Sequence, residues 1–183
     1  ATRAPLDPDV LAGTLTPENA LPPTPAATDI AATLAAYADP KAFQALSSLG
    51  AQMDPAVPGY GEFLLALARC GGTGALSNIR GAVERAPVAA AVAYALVDDP
   101  AARKALAEAA AKWTPAHVAL MADAWPAIAG FASRRVFIES VAAARPDLLD
   151  QPEVVTAFLR LEPFVAEKAL LDRFLAAEQP AAA

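Results

Sequence analysis

Cysteine and histidine each occur once, tryptophan twice and glycine nine times in a chain of 183 residues. A lone cysteine cannot close a disulfide within the chain. A single histidine excludes multi-histidine metal sites and leaves little room for a hydrolase triad. No Glu-x-x-His pair exists, so the carboxylate-histidine pattern of di-iron bundles is missing. Basic residues are also scarce: 14 Lys and Arg stand against 20 Asp and Glu, a net charge of -6. The resulting pI near 4.7 is opposite to the basic footprint that nucleic acid requires, so no nucleic-acid partner is expected.

Long apolar runs are lacking too. The longest is Ala86 to Val97, which contains Pro87 and is flanked by Arg85 and Asp98. It falls short of the roughly 18 to 20 residues needed to cross a bilayer and reads as a buried helix. No transmembrane segment is expected. There is no charged start followed by an apolar core, the mark of a secretion signal. A chain that begins at Ala1 fits a cytoplasmic protein or a processed mature protein of a periplasm or organelle equally well. No alternating apolar-polar run is bracketed by hairpin turn residues, which argues against strands.

What the chain has in abundance is alanine, 50 residues, and proline, 17 residues. Alanine has the highest helix propensity and lets helices approach closely. A mean hydropathy of +0.34 places the chain away from disordered compositions. The prolines sort into two groups. Six lie in residues 1-27 (Pro5, Pro8, Pro17, Pro22, Pro23, Pro25) and mark a proline-rich, extended N-terminal arm. A short turn capped by Asp7 fits Pro8 to Ala12, and if the arm lies along the domain or along a partner, Leu6, Val10, Leu11, Leu15 and Leu21 are the arm's candidate anchors. Beyond residue 28 some prolines sit directly behind Asp or Thr, where proline occupies the first helical position after a cap. Asp39-Pro40, Asp99-Pro100 and Thr114-Pro115 are the clearest cases.

Helices are expected over 29-38, 40-50, 60-70, 75-85, 87-97, 101-113, 116-125, 131-144, 153-161 and 163-177, with a turn at 146-149. Thr28 is the expected cap of the first. Apolar spacing supports them, as in Phe63, Leu64 and Leu67, or Val136, Phe137 and Val141. Phe164, Ala166, Leu170, Leu171, Phe174 and Leu175 give the last helix a wide apolar face. The expected fold is all-α: about ten short antiparallel helices forming one domain over 28-178, with a tail at 179-183.

Asp39-Pro40-Lys41-Ala42-Phe43-Gln44-Ala45-Leu46 matches Asp99-Pro100-Ala101-Ala102-Arg103-Lys104-Ala105-Leu106 at five of eight positions, 60 residues apart. A looser echo begins at Asp150-Gln151-Pro152. The shared Asp-Pro-x-Ala-x-x-Ala-Leu string resembles the second-helix opening of HEAT-type repeats. That resemblance implies a stacked helical-repeat array. An irregular helical bundle accounts for the same pattern.

Chemistry-bearing strings are sparse. Cys70-Gly71-Gly72-Thr73-Gly74, with Arg69 and Arg80 nearby, could expose amides to an anion, but it lacks the ending of a P-loop and the preceding strand. It reads as a glycine stop followed by a Thr73 cap. Cys70 falls at a helix C-terminus, where the dipole disfavours a thiolate. His117 lies in a helix first turn, with Asp123 or Glu139 as conceivable partners. The expected role is a non-catalytic interaction or scaffold subunit that binds other protein subunits, with no cofactor and no metal. Its candidate interaction residues are Trp113, Trp125, Arg134, Arg135, Leu11 and Leu15. The competing expectation is a small-molecule binder or enzyme with a pocket between helices, built from His117, Cys70, Arg134 and Glu139. That alternative requires the four groups to converge.

Overall fold

The protein is described by a computed structural model covering residues 7-21, 23-126 and 129-178. It is all-α. Among the described residues the sole extended pairing is an isolated bridge between Ala20 and Pro23. The chain divides into two compact units, residues 1-99 and 100-183. The division falls inside the 28-178 segment that the sequence alone presents as one domain.

The first unit contains α1 (Pro8-Gly13), α2 (Pro17-Ala20), α3 (Pro25-Tyr37), α4 (Phe43-Gly50), α5 (Tyr60-Gly71), α6 (Leu76-Ala82) and α7 (Pro87-Val97). Single 3-10 turns at Pro40-Ala42 and Gly72-Ala75 lead into α4 and α6. The N-terminal segment is thus helical at 8-13 and 17-20 rather than extended throughout. Each of these helices starts on a proline, whose missing amide has no partner to lose at that position. Asp7 caps α1 as expected, accepting from the amide of Asp9 at 3.0 Å. Leu15, Ala12 and Ala20 are buried, Leu11 is half-buried and Val10 is exposed. Leu6 and the tail after Glu178 lie outside the described residues. Helix α3 also begins earlier than its apolar pattern suggests. Thr24, not Thr28, is its cap, accepting from the amide of Ala27 at 3.2 Å, and Pro25 follows.

Helix α5 is the centre of this unit and packs against α3, α4 and α7. Tyr60, Phe63, Leu64, Leu65, Ala66, Leu67, Ala68 and Cys70 are all buried. A helix apolar on nearly every side has to be enclosed by its neighbours.

The second unit contains α8 (Pro100-Ala110), α9 (Pro115-Asp123), α10 (Gly130-Ala144), a 3-10 turn at Pro146-Asp150, α11 (Pro152-Leu161) and α12 (Pro163-Glu178). Helix α9 packs on α11, and α8 on α10. The core is aromatic. Trp125 and Phe137 have ring centroids 4.5 Å apart, Phe137 and Phe158 meet edge to face at 5.9 Å, and Trp113 lies 6.4 Å from Phe137.

The two copies of the Asp-Pro string occupy equivalent corners. Ala38 (φ +54°) and Asp98 (φ +47°) end α3 and α7 in the left-handed conformation, each directly before its Asp-Pro pair. After the proline, the second and sixth residues point inward. Ala42 and Leu46 are buried in one case, Ala102 and Leu106 in the other, and Val154 and Phe158 repeat the register after Pro152. Ala27 and Ala31 do so after Pro25. The register is shared by these four helices and not by α1 or α9, where the second residue after the proline, Val10 or His117, is exposed.

Candidate functional site

The glycine-rich string is a packing device. Helix α5 runs through to Gly71, and Gly72 turns the chain with φ +50°. A β-carbon on Gly71 would meet the Phe43 ring at 2.3 Å, and one on Gly74 would meet it at 3.2 Å. The string leaves room for an aromatic side chain. Thr73 lies inside the 3-10 turn and α6 starts without a side-chain cap, so the expected Thr73 cap is not formed.

Cys70 is buried, and its thiol donates to the Leu34 carbonyl at 3.5 Å. Burial, with the nearby negative charge of Asp39, pushes the thiol from an ordinary 9.0 up to about 11. A nucleophilic cysteine needs the opposite shift. One residue earlier, Arg69 donates from Nε to the Ala35 carbonyl at 2.9 Å. Both acceptors lie in the last turn of α3; the Leu34 carbonyl also accepts the Ala38 amide at 2.9 Å, so the thiol adds a second donor there. Arg80 is exposed.

His117 is exposed at the start of α9, where its backbone amide donates to Thr114 Oγ1 at 3.3 Å. Asp123 lies six residues on, about 9 Å along the helix axis, out of reach of the imidazole. It is held instead by Arg160 of α11 at 3.0 Å. Glu139, on α10, accepts from Arg103 at 3.3 Å and lies 3.9 Å from Arg135. Arg134 is half-buried, and its Nε has no hydrogen-bond partner. Trp113 and Trp125 are both buried in the aromatic core, and Trp125 Nε1 donates to Ser133 Oγ at 3.2 Å. Leu15 is likewise interior. Of the candidate interaction residues, Arg135 is the one that is exposed.

Two features escaped sequence reasoning. The first is a cavity of about 480 Å³ between α10, the 146-150 turn and α12. Its floor is Ala142, Ala143, Leu149 and Ala169, and its rim is Glu139, Lys168, Asp172 and Arg173. Each rim charge is engaged by one of opposite sign: Lys168 by Asp172, Arg173 by Asp150 at 2.8 Å, and Glu139 by its two arginines. Among the described residues, no three His, Cys, Asp or Glu side chains are grouped to hold a metal ion.

The second is the orientation of α12. Phe164, Leu171, Phe174 and Leu175 share one face, as the spacing predicts, but that face is turned outward, and Ala166, expected on the same face, lies on the other side. Phe164 is 80% exposed, and Leu171, Phe174 and Leu175 are about half exposed or more. Ala166 is the residue of α12 buried in the unit. Periodicity identifies an amphipathic helix but not which side it presents to the core.

No described helix is long and apolar enough to cross a membrane. No protein family, curated protein or solved structure matches the chain.

Proposed function

We propose that this chain is a non-catalytic protein-protein interaction or scaffold subunit that works within a larger assembly, its helices stacked in a HEAT-like manner. The single observation that carries the reading is the outward face of α12. Four large apolar side chains, two of them phenylalanine, stand in solvent on a helix whose inward seam is mostly alanine. Exposed contiguous apolar surface of this kind marks contact sites. The inventory of reactive groups points the same way. Cys70 is buried with a raised thiol, His117 is exposed at a helix start, and the carboxylates near the cavity are paired. The repeated left-handed corner before Asp39-Pro40 and Asp99-Pro100, with the same buried register after each proline, supports the repeat-like arrangement.

The test is affinity capture from native extract with the wild-type chain and a Leu171→Glu, Phe174→Glu double variant in parallel. The expected result is a stoichiometric set of proteins held by the wild type and lost by the variant, with helicity by circular dichroism equal in both. Identical capture by the two chains would overturn the reading.

A further inference from the structure

We draw no further inference here: the strongest candidate, the outward apolar face of α12 formed by Phe164, Leu171, Phe174 and Leu175, carries none because nothing in the structure shows what covers it.

Discussion

The ring of Phe43 fills the space where a β-carbon of Gly71 would lie, 2.3 Å from that position. The ring belongs to the first turn of α4 and the glycine to the last turn of α5, so the contact locks two helices together. Gly71→Ala is expected to force the ring aside and to destabilise the protein by about 1-3 kcal/mol, the usual cost of overpacking. Urea unfolding measures it. Adding Phe43→Leu should recover part of the loss, since neighbouring changes are not additive.

Ser133 is buried and accepts the indole N-H of Trp125 while donating to the Ala129 carbonyl at 2.8 Å. Ser133→Ala leaves the indole donor unmatched in an apolar core. The expected loss is about 1-3 kcal/mol, partly offset by the better helix propensity of alanine. Thermal unfolding followed by tryptophan fluorescence reads it directly.

The Cys70 thiol, raised to about 11 from an ordinary 9.0, favours the protonated form in the folded protein. Its contribution to stability is therefore complete below pH 9.0 and lost as pH rises through about 11. Stability should decline across that alkaline window, and Cys70→Ala should flatten the decline. A thiol reagent at neutral pH should label Cys70 at the rate of unfolding, not at the rate of a free thiol. Fast labelling of the folded chain would contradict the burial.

Ala38 adopts φ +54°, a conformation that disfavours a β-carbon. Ala38→Gly removes that strain and gives back some of the gain through a freer unfolded chain. A net stabilisation of about 0.5-1 kcal/mol is expected, seen as a higher urea midpoint with an unchanged slope.

Helix starts were readily legible in the sequence. Asp39, Asp99 and Thr114 before proline mark them because a cap and a proline act within one turn, and α8, α9 and the 3-10 turn that leads into α4 begin there. Pro25 carries the same signal, but the crowd of neighbouring prolines obscures it and shifts the expected start to Thr28. Contacts between distant residues left no such mark. Arg145 reaches the carbonyls of Ala111 and Trp113 at 3.3 and 3.1 Å, beyond the end of α8, while bonded to both oxygens of Asp147. That pairing holds the Asp147 carboxyl below the usual carboxylate range. Nothing local in either segment announces the reach. The aromatic core is an intermediate case. Trp113, Trp125, Phe137 and Phe158 pack together, yet Phe131, Phe164 and Phe174 share that stretch of chain and remain exposed. Composition locates aromatic residues along the chain, and only packing decides which of them are covered.

The alanine seam of α12 has a consequence for how the chain opens. Burying Ala166 removes little apolar area from water, and the Arg173-Asp150 bridge is partly exposed, where such pairs add little. The last helix is therefore the element of the second unit with the weakest hold. Its amides should exchange with solvent through a local detachment far cheaper than global unfolding. Covering its outer face would close that route, so that assembly and the folding of the final helix become one cooperative step.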